Sequence, residues 1–352
     1  MRQARFLAPG AVAGVRSGIY HCVSRVVDRR RVLERAGKEQ FVKFMRLYEE
    51  FCGVRVLSFC VMSNHFHILL EVPPRPAEGL AERELFRRLG LLYSEAQVEE
   101  VRELIRKAKK TGNRGGVEEM KERYLYRMWD LSQFMKSLKQ RFTQWFNKRH
   151  GRKGTLWEDR FKSVIVEDGY TARVVAAYIE LNPVRAGIVQ KPEHYRWCSY
   201  AEATAGKVPA RNGIERVMSE FEEFCTGRKV AKKWREVIAS YRVILFTDGE
   251  ERLRKEERTG RVEVARRGIS PADAERVRKK SGKLSRSEML RHRVRHFVDG
   301  TAIGTREFLD GLFRENPARF GPRRKSGARK IRECDTPLCS LRDLRDGVSR
   351  EN

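Results

Sequence analysis

Residues 61–72, VMSNHFHILLEV, place two histidines one residue apart in a run that otherwise has the composition of a buried strand. Side chains alternate between the faces of a strand, so His65 and His67 share one face and lie about 6 to 7 Å apart. That spacing allows both imidazoles to bind one metal ion. Taken alone, the pattern is better explained by two partly buried histidines on a polar sheet face, because His-x-His is a weak motif. The rest of the chain decides between these interpretations.

The order of predicted elements around this run indicates an α+β fold. Two hydrophobic runs separated by a short Ser-Asn turn predict a hairpin, and helical spacing of apolar residues predicts the helices. The predicted elements are a strand at 18–26, a helix at 38–53, the hairpin at 54–72, a helix at 130–151, a strand at 155–168 and a helix at 170–182. This order matches a split β-α-β plan, an antiparallel sheet with helices packed on it.

Two further regions are predicted to be mainly helical. Residues 78–128 are highly charged and helix-forming, so we expect a helical insertion, with a disordered spacer as the alternative for 108–118. The Ala/Gly/Pro-rich stretch at 203–213 predicts a boundary, followed by a basic, mostly α-helical region at 205–352. Within that region, residues 318–332 hold seven basic residues and no acidic one.

Three helices are expected in the C-terminal region. Two of them open with capping-box-like pairs, Ser270 with Asp273 and Ser285 with Glu288. The third is GTREFLDGLFREN at 304–316. We expect this basic helical region to bind DNA.

The composition indicates a protein that binds nucleic acid. The 352 residues include 75 Lys plus Arg against 47 Asp plus Glu, a formal net charge of +28. A surplus of that size produces a strong positive field, whose commonest partner is a phosphate backbone. An anionic membrane is the competing partner, but no apolar run reaches transmembrane length and the first residues lack the apolar core of a signal peptide. The seven scattered cysteines support neither a disulfide framework nor a zinc ribbon, so we expect a cytoplasmic, nucleoid-associated protein.

The helix predicted at 170–182 carries a second pair of polar side chains. Tyr178 and Asn182 are four residues apart, which places them on one face of the helix. A tyrosine packed against the core is the commoner reason for a lone tyrosine in such a helix. The helix is expected to end before Pro183, because the residue before a proline disfavours the α region.

Three motifs in this order resemble the single-tyrosine HUH nucleases. They are MSNHFHILLEV at 62–72, GTLWEDRFKSVIVED at 154–168 and AAYIELNPVRAGIV at 176–189. The most similar group is the REP-associated tyrosine transposases, relatives of insertion-sequence transposases that act on single-stranded DNA. The resemblance covers about residues 11–200 and implies a ferredoxin-like HUH nuclease core. The insertion and the C-terminal region depart from the small members of the family.

The resemblance also implies roles for individual residues. Tyr178 matches the nucleophile, and His65 and His67 match the paired metal ligands, with the apolar Phe66 between them. Asn182 matches the position that offers a third metal ligand. The implied cofactor is a divalent metal, Mg²⁺ or Mn²⁺.

The residue types, taken without the family resemblance, also support this chemistry. A tyrosine hydroxyl has a pKa near 10 and is a weak nucleophile at neutral pH, so a neighbouring group must activate it or its target. A divalent ion held by two imidazoles and an amide oxygen leaves coordination positions open for phosphate oxygens and can orient the phosphate in line with the attacking oxygen. Mixed nitrogen and oxygen ligation also suits zinc, and only the family resemblance favours Mg²⁺ or Mn²⁺.

Basic and aromatic side chains near these motifs predict contacts with DNA. Phosphates can be held by cations, and bases can stack on exposed aromatic rings such as Trp157 or Trp197. The candidate DNA-binding residues are Arg160, Lys162, Arg185, Arg323, Arg324 and Lys325.

The remaining histidine and tyrosine candidates are given lesser roles. His21 on the first predicted strand could lie near the site, although a structural role is expected. Tyr170, Tyr195 and Tyr200 are alternative nucleophiles, but none has a polar partner four residues further along a helix aimed at the histidines.

The sequence therefore predicts a metal-dependent transposase that cleaves and rejoins single-stranded DNA through a 5′-phosphotyrosine intermediate. The expected substrate carries a hairpin or flanking repeats, and the active unit could be a monomer or a homodimer. Two alternatives stay open: a non-enzymatic nucleic-acid-binding protein with the same fold, and an HUH nuclease of replication or conjugation.

Overall fold

A computed structural model of the chain gives the arrangement of its helices and strands. It describes residues 6–8, 14–226, 233–248, 252–255, 262–266, 268–272, 274–275, 301–321, 324–330 and 338–342. The helices are α1 Arg35–Cys52, α2 Glu82–Leu89, α3 Glu95–Lys110, α4 Arg114–Leu125, α5 Leu131–Arg149, α6 Tyr170–Glu180, α7 Asn182–Arg185, α8 Ser199–Thr204, α9 Val208–Thr226, α10 Trp234–Asp248 and α11 Arg306–Glu315. The strands are β1 Gly18–Arg25, β2 Arg55–Val61, β3 His65–Val72, β4 Lys162–Val166, β5 Arg252–Lys255, β6 Val262–Arg266, β7 Ala302–Gly304, β8 Arg329–Lys330 and β9 Cys339–Leu341. Among the helices in these ranges, none combines the length and apolar character needed to cross a bilayer.

Four strands form the antiparallel centre of the main sheet. β1 pairs with both β3 and β4, and β2 pairs with β3. The order β2-β3-β1-β4 places β3 between β1 and β2, which are joined through α1, as in a split β-α-β plan. The predicted α+β fold with a ferredoxin-like antiparallel sheet is confirmed.

One face of this sheet is covered by α1 and α5. Phe66 on β3 contacts Phe41 on α1 with ring centroids 4.5 Å apart, and Phe142 on α5 lies 5.4 Å from Phe41. All three side chains are fully buried, and each such burial stabilises the fold by about 1.5–3 kcal/mol. The predicted start of α5 is confirmed, since the Asp130 carboxylate accepts a hydrogen bond of 2.7 Å from the Gln133 backbone N–H.

The opposite face is covered by α6 and by the helices that follow it. Leu69 on β3 and Val164 on β4 are buried in the same cluster as Val175 and Ile179 of α6. α9 approaches β2 so closely that a Cβ at Gly213 would lie 2.7 Å from the Leu57 carbonyl oxygen. The boundary predicted near residue 205 therefore falls between two helices of one packed unit.

The insertion predicted at 78–128 is helical and consists of α2, α3 and α4. α3 begins with a capping box formed by Ser94 and Gln97. Its last turn is followed by a short turn at 111–113, and Asn113 caps α4 by accepting a hydrogen bond from the Gly116 N–H. Residues 108–118 thus follow the helical interpretation and not the spacer.

The region beyond 205 contains helices, as predicted, and also strands, which were not predicted. The helix predicted at 304–316 is confirmed by α11. β7 pairs in parallel with β4, and β9 and β8 extend the same sheet beyond it. These strands are two or three residues long, too short to show an alternating pattern in the sequence. The two helices predicted from Ser270 and Ser285 lie largely outside the described residues.

Candidate active site

Strand register brings three histidines together on the α6 side of the sheet. His67 on β3 lies opposite Val23 on β1, and His21 lies opposite Leu69. Because directly opposed residues point to the same face, His21 joins His65 and His67 there. The His21 Nε2 and His67 Nδ1 atoms are 3.0 Å apart, and the rings of His65 and His67 are 5.0 Å apart.

Burial keeps the two predicted ligand histidines neutral. Burial, followed by the charge of Arg25, lowers the pKa of His65 to about 4. Burial is also the main cause that holds the pKa of His67 well below its usual range, and neighbouring cationic groups add to it. The neutral imidazole is the form that binds a metal ion, so both side chains are ready for coordination at neutral pH.

Each of these imidazoles has one nitrogen already held by a neighbour. His67 uses Nδ1 toward His21, and His65 uses Nδ1 toward the Asn64 side-chain oxygen at 2.6 Å. The Nε2 atoms are therefore the ones left for a ligand, an arrangement typical of metal-binding histidines. Within the described ranges, no group of three or more His, Cys, Asp or Glu side chains is arranged to hold a metal.

α6 carries Tyr178 to the histidine cluster. The centroid of its half-buried ring lies 5.9 Å from that of His67 and 6.1 Å from that of His21. The Arg185 guanidinium lies 5.0 Å from the same ring. The tyrosine, the histidine pair and one of the predicted DNA-binding arginines therefore meet at one place.

Asn182 lies one helical turn beyond Tyr178. Its Nδ2 donates to the carbonyl oxygens of Tyr178 at 3.0 Å and Ile179 at 3.3 Å. Carbonyl oxygens only accept hydrogen bonds, so the side-chain NH₂ group of Asn182 must be the end of the amide that faces them. The Oδ1 atom of Asn182 is the atom of this side chain that a cation could use. α6 ends at Glu180, before Pro183 as predicted, and the short helix α7 then runs from Asn182 to Arg185 with the proline in its first turn.

The alternative tyrosines named above are placed less favourably for attack on a phosphate. Tyr195 is buried and donates a hydrogen bond of 2.7 Å to the Val61 carbonyl. Burial raises the pKa of both Tyr195 and Tyr200. Tyr170 is half-buried in the first turn of α6, two turns before Tyr178.

Of the other predicted DNA-binding residues, two lie along the edge of the site. Lys162 begins β4 opposite Val23, which in turn lies opposite His67, so its backbone is about 10 Å from that of His67. Arg160 is exposed in the loop just before β4. Both remain predictions as DNA contacts.

The basic run in the C-terminal region is placed differently. Arg323 lies outside the described residues, and Lys325 is exposed near α11. The Arg324 guanidinium donates to three backbone carbonyls, those of Ser326, Gly327 and Arg342. This role in the fold was not expected from the sequence, and it leaves Arg324 less able to contact phosphate.

The two tryptophans proposed for base stacking also differ. Trp157 is 6% exposed, and its indole N–H donates to the Thr143 hydroxyl at 3.0 Å, so it belongs to the core. Trp197 is half-buried beneath the Lys38 ammonium, which lies 4.5 Å from its ring. The expectation of an exposed Trp157 is wrong, because α5 covers it.

Sequence reasoning allowed His21 to lie near the site in a structural role, which fits its contact with His67, and it missed Arg25. Both lie on β1, and their proximity to the site follows from the pairing of β1 with β3. The alternation His21, Val23, Arg25 along the strand is the signal that could have identified them, once the pairing was assumed.

Comparison with known proteins gives one family match. Residues 15–77 and 125–182 match a family model described as "Transposase IS200 like", and the unmatched gap covers most of the helical insertion. None of the curated proteins compared with the chain matches it. Five solved chains match, one of them described as "Structure of the REP associates tyrosine transposase bound to a REP hairpin". That match is 13% identical, covers 58% of this chain and 86% of that chain, and has a TM-score of 0.37.

Proposed function

We propose that the chain cleaves and rejoins single-stranded DNA with Tyr178 as nucleophile, because residues 15–77 and 125–182 match the model of the IS200-like transposase family, whose members act on DNA. The observation that supports this most directly is the placement of the Tyr178 ring about 6 Å from the rings of His67 and His21. The expected substrate is a single strand that carries a hairpin or is flanked by repeats.

The proposed reaction exchanges one phosphodiester for another. The Tyr178 oxygen attacks the phosphorus, its bond to phosphorus forms as the bond to the 3′ oxygen breaks, and the proton lost by tyrosine balances the one gained by the 3′ hydroxyl. The product is a 5′-phosphotyrosine. Attack by another 3′ hydroxyl reverses the step and rejoins strands without an external energy source, because an ester bond is conserved throughout.

Several residues of the chain would have separate roles in this reaction. The Arg185 guanidinium, 5.0 Å from the Tyr178 ring, places positive charge where phosphate oxygens must come and where the phenol loses its proton. His65 and His67 through Nε2, and Asn182 through Oδ1, would hold a divalent metal. Such a metal, when bound, would neutralise charge on the scissile phosphate and orient it. His21 would fix the ring of His67 through the 3.0 Å contact.

A denaturing-gel assay tests this proposal. The full chain and its Tyr178→Phe variant would be incubated with labelled single-stranded oligonucleotides that form hairpins, with Mn²⁺ or with a chelator. We expect an adduct that resists SDS, requires the metal and is lost in Tyr178→Phe. Tyr170→Phe is the matched control, because it removes a half-buried tyrosine of the same helix, and it should retain the adduct.

The other outcomes separate the alternatives. An adduct that survives Tyr178→Phe would assign the nucleophile to another residue. Tight DNA binding without any adduct, across substrates with and without hairpins, would favour the non-enzymatic binding protein. Specific nicking at one replication or transfer origin, without strand transfer, would favour the replication or conjugation nuclease.

A further inference from the structure

A polar groove lies on the face of the sheet opposite the candidate active site. It has a volume of about 300 Å³ and runs between α1, α5 and the end of the insertion. Its lining includes three cations and three amides: Arg127, Lys136, Arg141, Gln133, Gln140 and Gln144. The described residues that line it include no aspartate or glutamate.

The groove cations differ from two arginines of α3 that form ion pairs. On α3, Arg102 pairs with Glu99 at 2.7 Å and Arg106 pairs with Glu103 at 2.5 Å. In the part of the chain that the structure describes, no groove cation lies within 4 Å of a carboxylate. Their charge is therefore not neutralised locally.

Uncharged groups fix the two groove arginines. Arg127 donates a hydrogen bond of 2.8 Å to the Tyr93 hydroxyl and lies 4.8 Å from the Phe51 ring. The Arg141 guanidinium lies 5.7 Å from the Phe44 ring. Such contacts hold a guanidinium in place without cancelling its charge, which reduces the entropy lost when an anion binds.

The helical period of α5 explains why these side chains line one groove. Gln133, Gln140 and Gln144 are spaced by seven and four residues, so they follow one stripe of the helix. The opposite stripe is buried in the core on the sheet and includes Phe134 and Phe142. The polar stripe therefore faces solvent, and packing against the sheet does not explain why it carries three glutamines.

We propose that this groove binds the sugar–phosphate backbone of the DNA substrate at a second place, separate from Tyr178. The proposal rests on the proposed function in one respect, that DNA is the substrate. Cations without acidic partners suit phosphates, and amide donors add contacts that position a backbone independently of base sequence. Tyr93, which anchors Arg127, lies in the insertion, outside the residues that match the family model. The insertion would thus extend the DNA-binding surface of the core domain.

The test compares two double variants of the full chain that lose equal charge. Lys136→Gln with Arg141→Gln changes the groove, and Arg102→Gln with Arg106→Gln changes exposed, ion-paired positions on α3. Binding to a labelled hairpin oligonucleotide would be followed by fluorescence anisotropy across a range of salt, with chelator present so that no cleavage contributes. We expect the groove variant to bind roughly tenfold more weakly at low salt, with a salt slope smaller by about 1.4 to 1.8, and the α3 variant to bind like wild type.

Other outcomes of the binding experiment contradict the proposal. Unchanged binding by the groove variant, with wild-type thermal unfolding, would overturn it, as would an equal loss in both variants, which would reflect net charge alone. Loss of RNA binding with DNA binding intact would assign the groove to another polymer. The covalent adduct is measured separately, so absence of the adduct would contradict the Tyr178 chemistry while the groove result stood. Failure of wild type to bind DNA at all would overturn both.

Discussion

At the scale of single residues, the candidate site is defined by which ring nitrogen each histidine has available. His67 faces His21 through Nδ1, and His65 faces Asn64 through Nδ1, so one nitrogen of each ring is held. Burial keeps both rings neutral. These two conditions, a held ring and a neutral ring, are what a pair of metal-binding histidines requires.

Asn182 provides a prediction at this scale. If its Oδ1 is a metal ligand, Asn182→Ala should raise the Mn²⁺ concentration needed for half-maximal adduct formation by roughly tenfold or more. The measurement is a metal titration of the gel assay.

A second variant separates metal binding from helix capping. Asn182→Ala also removes the hydrogen bonds to the Tyr178 and Ile179 carbonyls. Asn182→Asp removes the same donors but keeps an oxygen ligand, so it should need less metal than the alanine variant. Equal titrations for the two variants would indicate that the capping bonds, and not the ligand, explain the effect.

The residues that could be predicted are those with a local pattern. His65, His67 and Tyr178 stand in short motifs whose spacing within one strand or one helix determines their faces. His21 and Arg25 lie about 40 residues earlier in the chain, and only the β1–β3 register brings them to the site. The hydrogen bonds from the Arg324 guanidinium to backbone carbonyls, including that of Arg342, could not be predicted from the sequence either.

At the scale of elements, a buried carboxylate fixes the tyrosine helix. Glu180, fully buried at the end of α6, accepts hydrogen bonds from Ser58 on β2 at 3.0 Å and from Ser199 on α8 at 2.6 Å. The Tyr200 backbone N–H donates to its other oxygen at 3.1 Å. These bonds attach α6 both to the sheet and to α8, which positions Tyr178 beside the histidines.

This network predicts a pH-dependent stability. Burial, partly offset by these hydrogen bonds, raises the pKa of Glu180 to about 7. Between the unfolded value near 4.5 and pH 7, the folded protein keeps a proton that the unfolded chain has released. The contribution of Glu180 to the free energy of unfolding should therefore fall by about 3 kcal/mol as pH rises through this window.

The Glu180→Gln variant isolates this contribution from other titrating groups. A glutamine keeps an acceptor for the Tyr200 N–H and does not ionise. Urea unfolding of both proteins at pH 5, 6, 7 and 8 should show the variant gaining stability relative to wild type as pH rises. Parallel curves would contradict the raised pKa of Glu180.

Long elements could be predicted well, and short ones could not. α1 and α5 have apolar stripes over five turns, and β2 and β3 are marked by their hydrophobic runs. The strand predicted at 155–168 is shorter in the structure, where only Lys162–Val166 is paired as β4. β7, β8 and β9 are held by pairing with distant strands, which no local pattern reveals.

At the scale of the whole molecule, the C-terminal region is part of the same sheet as the histidines. β7 extends that sheet beside β4. The Glu167 carboxylate accepts hydrogen bonds from the Thr305 N–H at 2.6 Å and from the Thr171 hydroxyl at 3.3 Å. Glu167 thus joins the start of α11 to the first turn of the tyrosine helix, and the division into two domains near 205 stays a prediction.

The two faces of the sheet have different proposed roles. The face under α6 holds the histidines and Tyr178, and the face under α5 presents the polar groove. A DNA strand bound at both would contact the molecule on two sides, which is consistent with the large positive net charge.

The most direct test of the central claim is to locate the DNA on the chain by mass spectrometry. The adduct would be digested with nuclease and trypsin, and trypsin should release residues 174–185, VVAAYIELNPVR, in which Tyr178 is the sole tyrosine. Tyr170, Tyr195 and Tyr200 fall in three other tryptic peptides. We predict a nucleotide mass on the 174–185 peptide, formed only with metal present. A nucleotide on any of the other three peptides would contradict the assignment of Tyr178 as the nucleophile.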